Sequence, residues 1–225
     1  MKEALKYNRP FSERLPAIGL RARIDALMPF IECIRRHFEV ITAAAVNVEQ
    51  FQQSPENVRR ILGPNPHYSS FTVSMMLMIS FVKDTDSLSV ICDDEEETAP
   101  KVYKLYRTLR LNYSDVKQRI AALAFADDEV FRGVQAADMV SSLIRRNAAL
   151  HFHNERFEYA DLYKALCAPI SEDKLKELST IHIGTDQLSG MARDYAELKT
   201  EYPDGDLRLA EFGRSLRIRR DAAES

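Results

Sequence analysis

The stretch from Phe125 to Asn147 limits what this chain can fold into more than any other. It runs from an apolar segment into the acids Asp127, Asp128 and Glu129, crosses a short connection containing Gly133, and continues with helical spacing. Val134, Ala137, Val140 and Ile144 recur at intervals of three and four, so they define one apolar face of an amphipathic helix. Gln135, Asp138 and Ser142 share the neighbouring stripe, because residues three and four apart are neighbours on a helix. A carboxylate beside a packed face needs a partner or a function. Arg145 and Arg146, about two turns on, are its candidate partners.

The elements before this stretch follow one rhythm. Arg21 to His37 has helical spacing through Ile24, Leu27, Ile31 and Ile34, with Pro29 as a kink or boundary. Phe38 to Val48 is rich in alanine and β-branched residues and reads as a strand. After a loop with a short helix around Pro55 to Leu62, Tyr68 to Lys83 predicts a helix with the stripe Phe71, Met75, Met78, Ile79 and Val82. Leu88 to Cys92 is a short apolar run that fits a strand buried on both faces. Pro100 to Leu111 predicts a helix, and Gln118 to Ala126 a third strand. Alternating strand and helix argues for an α/β fold, a sheet flanked by helices.

After about Leu150 the pattern changes to short helices at Glu155–Cys167, Glu172–Ser179, Thr185–Lys199 and Leu207–Arg219. The expected organisation is therefore an N-terminal arm over 1–20, an α/β core over 21–150 and a helical C-terminal extension over 151–225. At 225 residues the chain is long enough to bury a sizeable core. A net charge of −3 gives no global basic signature for nucleic-acid binding, although a local arginine patch would suffice. No apolar run reaches membrane-spanning length, and the N-terminus carries no charged-then-apolar signal segment. Cys33, Cys92 and Cys167 are odd in number, widely spaced and set among apolar neighbours; buried reduced thiols and a cytoplasmic location are the expectation.

Two acidic clusters carry the chemistry. Asp93, Asp94, Glu95, Glu96 and Glu97 follow one apolar strand, and Asp127 to Glu129 follow the next. In an open parallel sheet, sites form beyond the carboxyl ends of the strands. If the two strands are neighbours, Asp93 and Asp127 share a rim, and the following helix can aim Asp138 at it. Converging carboxylates repel unless a cation lies between them. Mg2+ or Mn2+ takes such oxygen ligands, and a pair of ions about 3.5–4 Å apart suits phosphodiester hydrolysis. The plainer alternative is that the acids form a solvated helix start favoured by the helix dipole.

The segment Phe125-x-Asp127 through Gly133-Val134-Gln135-x-Ala137-Asp138, followed by Arg145-Arg146, resembles the C-terminal signature of domain-of-unknown-function family 3800. The likeness extends over roughly Arg21 to Leu150. It implies a ribonuclease H-like fold and a metal-dependent nuclease, hydrolysing phosphodiesters with Asp93, Asp127 and Asp138 as metal-holding, catalytic acids. The family opens on a strand carrying Asp-Glu-Ser-Gly, and that motif does not occur here. The resemblance therefore implies a site and a sheet that are incomplete in this chain, with N-terminal strands missing. An unpaired sheet edge or the helical tail would then be available for homo-oligomerisation. The alternative function is a non-catalytic relative that binds nucleic acid or protein.

Remaining candidates have plainer explanations. His151 and His153 could ligate a metal, but histidine at a helix C-terminus is a common structural choice. Arg145, Arg146, Arg214, Arg217, Arg219 and Arg220 could fork onto phosphates, or simply lie at solvated helix ends.

Overall fold

The α1 helix, Leu20–His37, buries the four residues its spacing singles out, Ile24, Leu27, Ile31 and Ile34. Arg35, Arg36 and His37 fill its last turn, where cations face the negative end of the helix dipole. Pro29 lies inside the helix without ending it. These features come from a computed structural model that describes residues 19–56, 58–59, 65–81, 85–94, 96–112, 114–127, 129–168 and 177–201. Most of the expected N-terminal arm, and the segment Leu207–Arg219 with its arginines, lie outside the described residues.

After α1 come β1 (Val40–Val46), α2 (Val48–Gln53), α3 (Pro66–Phe81), β2 (Leu88–Asp93), α4 (Ala99–Asn112) and α5 (Ser114–Arg119). The order continues with β3 (Ile120–Ala126), α6 (Arg132–His153), α7 (Ala160–Cys167), β4 (Glu177–Ile183) and α8 (Thr185–Glu201). The chain is thus α/β and mostly helical, with small parallel sheet elements. The strands form two two-stranded ladders, β1 with β4 and β2 with β3. Both are parallel, since the backbone bonds Asn47 N–H to Ile183 O (3.0 Å) and Asp94 N–H to Ala126 O (3.1 Å) each join matching C-terminal ends.

Three expectations need correction here. Of the helix expected over Glu172–Ser179, residues 172–176 lie outside the described residues, and Glu177–Ser179 belong instead to β4, whose Thr180, Ile181 and Ile183 are β-branched and favour extended backbone. The expected strand over Gln118–Ala126 starts only at Ile120, because α5 runs to Arg119. The strand over Leu88–Cys92 is not buried on both faces. Leu88, Val90 and Cys92 are half-buried while Ser89, Ile91 and Asp93 are exposed, the period-two alternation of a sheet with one wet face.

The described residues fall into two compact units. The first draws on stretches ending at Ala43, on Ile91–Asp94 and on Phe125–Thr180. Its core joins α1 to Met139, Val140, Leu143 and Ile144 of α6 and to Tyr159, Leu162 and Leu166 at α7. α1 and α7 run in the same direction: Arg21 pairs with Asp161 at 3.4 Å, and Arg35 donates to the Ala168 carbonyl at 2.6 Å. Arg146 stacks its guanidinium over the Tyr159 ring, 5.3 Å from the centroid.

The second unit draws on Ala44–Val90, Glu95–Ala124 and the residues from Ile181. One of its cores packs Met75 and Ile79 of α3 and Tyr106 of α4 on Ile120, with Leu88, Val90 and Leu123 beside them. Another packs Phe51, Val58, Ile183 and Leu188 together. Asn65 starts α3 with its side chain accepting from Tyr68 N–H at 3.1 Å, and Pro66 takes the first helical position. Asn47 caps α2 in the same way through Gln50 N–H at 3.1 Å. The thiols also depart from expectation, since Cys33 and Cys167 are exposed and Cys92 is only half-buried. In α1, Cys33 is two residues from Ile31, which turns it away from the buried face.

Candidate acidic site at the ends of two strands

The site lies in the first unit, where β2 and β3 end side by side. The Asp94 N–H to Ala126 O bond, 3.1 Å long, sets Asp93 one residue before the junction and Asp127 one residue after it. Both carboxylates are exposed. Asp93 projects on the wet face of β2 with Ile91, on the opposite side from Cys92. Its charge acts on Cys92: burial pushes that thiol up, and the neighbouring Asp93 carboxylate pushes it further.

Asp127 also builds the connection to α6. Its side-chain Oδ1 accepts the Glu129 N–H at 2.8 Å, closing an Asx-type turn. Its carbonyl accepts from Val130 N–H at 3.2 Å and Phe131 N–H at 2.8 Å. The α6 helix then begins at Arg132. The Gly-Val-Gln portion of the sequence signature secures this turn. A Cβ on Gly133 would stand 2.9 Å from Cε1 of Phe131, so the glycine makes room for that ring. Val134 is buried, and the Gln135 amide donates back to the Glu129 carbonyl at 3.4 Å.

Asp138 is half-buried and lies about 9 Å along the axis from the first residue of α6, at 1.5 Å of rise per residue. The face beside it is broader than Val134, Val140 and Ile144: Met139, Leu143 and Ala148 are buried too, and so is Ser142, while Ala137 is exposed. The spacing had placed Ala137 inside. The bulkier Met139 and Leu143 take the contact with α1 and α7 instead.

The structure therefore brings Asp93 and Asp127 to one rim and sets Asp138 on the helix that leaves it. The donor set is all carboxylate oxygen, the chemistry that hard divalent cations take. Among the described residues, no group of three His, Cys, Asp or Glu side chains is placed to hold one ion together. Asp128 and Glu95, which flank the rim in sequence, lie outside the described residues. Mg2+ commonly takes one or two carboxylates and completes its shell with water and substrate phosphate.

Other candidates settle into local duties. His151 and His153 are exposed in the last turn of α6, facing the negative end of its dipole. That helix ends on Asn154, the one non-glycine residue with positive φ among those described, whose N–H returns to Leu150 O at 2.9 Å. Tyr163 and Cys167 lie one turn apart on α7, close enough to act on each other's titration. Cys167 is exposed as a whole residue, but partial desolvation of its thiol is the main cause raising it, as it is for the half-buried Tyr163, which the Cys167 thiol raises further. Sequence reasoning missed this pair, although an i, i+4 Tyr–Cys spacing was there to be read. No helix among the described residues is long and apolar enough to cross a membrane. Comparison with protein-family models, curated proteins and solved structures finds no match to this chain.

Proposed function

We propose that this chain is a metal-dependent phosphodiesterase, a nuclease of the ribonuclease H-like kind, with Asp93, Asp127 and Asp138 as its working carboxylates. The observation that carries the reading is the adjacency of the β2 and β3 ends, which sets Asp93 and Asp127 on one rim. The signature resembling family 3800, with Asp138 on the outgoing helix, supports it further. Asp93 and Asp127 would hold Mg2+ or Mn2+ together with a substrate phosphate, and Asp138 would act from α6 on water or metal at the same rim. The ion, when bound, supplies Lewis-acid polarisation and a more acidic water. Three free thiols among the described residues suit a reducing compartment, and the reading places the enzyme in the cytoplasm.

The test is cleavage of labelled RNA and DNA, single- and double-stranded, with and without Mg2+ or Mn2+. The reading expects cation-dependent cleavage that Asp138→Asn and Asp93→Asn abolish while the fold is retained. A second reading, a non-catalytic relative acting through nucleic-acid or protein contacts, draws on the turn-closing bond of Asp127. That bond gives the acid a structural reason to be there. Each strand has one partner among the described residues, so an edge is open for self-association under this reading.

A further inference from the structure

The α4 helix, Ala99–Asn112, contains no acid and four cations, Lys101, Lys104, Arg107 and Arg110, in a chain whose net charge is −3. Their distribution is one-sided. Val102 and Tyr106 are buried and Leu105 half-buried against the α3–β3 core, which fixes the inward face. Lys101, Tyr103, Lys104, Arg107 and Leu111 are all exposed, and at 100° per residue they fall within one arc of the opposite face. Arg110 lies at the edge of that arc and turns inward: it donates to the Tyr106 hydroxyl at 3.1 Å and stacks on its ring. Tyr103 is 50% exposed and Leu111 80% exposed, both among the outward cations.

We propose that this outward face of α4 binds a single-stranded polynucleotide, with Lys101, Lys104 and Arg107 against phosphates and Tyr103 stacked on a base. Cations interleaved with an exposed aromatic are the pattern by which proteins hold single strands: charge tracks the backbone, and an aromatic face accepts any base. An anionic membrane would need the helix to lay its apolar face into lipid, and here that face is already spent on the core of its own unit. Glu96 and Glu97 are exposed just before the helix, so the bound strand runs from Lys101 towards Leu111, away from those acids. The inference stands apart from the cation-dependent reading of the rim, because binding needs neither the rim acids nor a divalent ion.

The test is fluorescence anisotropy of a labelled oligouridylate with the full chain in EDTA, across a salt series. Three phosphate contacts give a slope of log affinity against log salt of about −2, at roughly −0.7 per phosphate on single strands. Lys101→Gln with Arg107→Gln flattens that slope to about −0.7, and Tyr103→Ala weakens binding about fivefold or more. All three side chains are exposed, and circular dichroism verifies that the variants fold. No binding at low salt, a slope untouched by the double variant, duplex RNA bound as tightly as the single strand, or preference for anionic vesicles over the oligonucleotide overturns the proposal.

Discussion

The backbone N–H of Asp94 donates to the carbonyl of Ala126 at 3.1 Å, and this bond aligns the ends of β2 and β3. Everything proposed for the rim follows from that alignment, since it makes neighbours of two acids 34 positions apart in sequence, Asp93 and Asp127.

Asp127 has a structural role separable from its charge. Asparagine keeps the oxygen that accepts the Glu129 N–H, whereas alanine removes it. Asp127→Ala is expected to cost about 1 kcal/mol of unfolding free energy, and Asp127→Asn a few tenths at most. Urea denaturation measures both. Any cleavage activity is expected to fail in both variants, because each removes the negative charge that holds a divalent cation.

The charge of Asp93 is readable without a substrate. Burial and the Asp93 carboxylate both raise the Cys92 thiol above its ordinary value of 9.0, so it reacts slowly with iodoacetamide at neutral pH. Asp93→Asn removes the second cause and leaves the first, so alkylation of Cys92 speeds up modestly. Peptide mass mapping over a pH series resolves it from Cys33 and Cys167.

Alkaline pH is expected to weaken the fold. Cys92, Cys167 and Tyr163 are all raised in the folded chain, from ordinary values of 9.0, 9.0 and 10.0. The folded state therefore holds these protons at a pH where the unfolded state releases them. The associated stability is fully present below about pH 9 and is lost as pH rises through the folded values. Thermal midpoints measured from neutral pH upward should fall above that point. Cys167→Ser is expected to make the fall shallower, since it removes one of the three groups and one cause of the Tyr163 shift.

Core and surface contacts in the first unit should separate sharply. Leu143 and Leu162 are fully buried between α1, α6 and α7, and truncating either to alanine is expected to cost about 2–5 kcal/mol. The Arg21–Asp161 pair that spans the same helices is exposed on both sides, and Arg21→Gln should cost less than about 1 kcal/mol. Denaturant midpoints compare the two directly.

The longer helices were readable from sequence because their periodicity matches their burial, whereas the short α2 and α5 were not expected. Ile24, Leu27, Ile31 and Ile34 mark α1 without help from tertiary structure. The β2 and β3 strands were also readable, with acids at their ends. β4 was not, because Glu172–Ser179 is rich in helix formers and the β-branched residues that commit the strand come only from Thr180 onward. Pairing of β1 with a strand more than 130 residues later leaves no local trace. At the site, the identity of the acids was legible from their places after apolar runs. The turn-closing bond of Asp127 and the fit of Phe131 over Gly133 depend on backbone geometry that spacing alone does not specify.

The most direct measurement is cleavage of labelled single-stranded RNA by the purified full chain in Mg2+ or Mn2+, compared with Asp93→Asn and Asp138→Asn variants of unchanged circular dichroism. The account predicts cleavage by the parent that EDTA stops, and loss of at least about a hundredfold in each variant, the scale of removing one electrostatic contributor to a transition state. A parent that leaves RNA and DNA intact with either ion, or variants that cleave as fast as the parent, would contradict it.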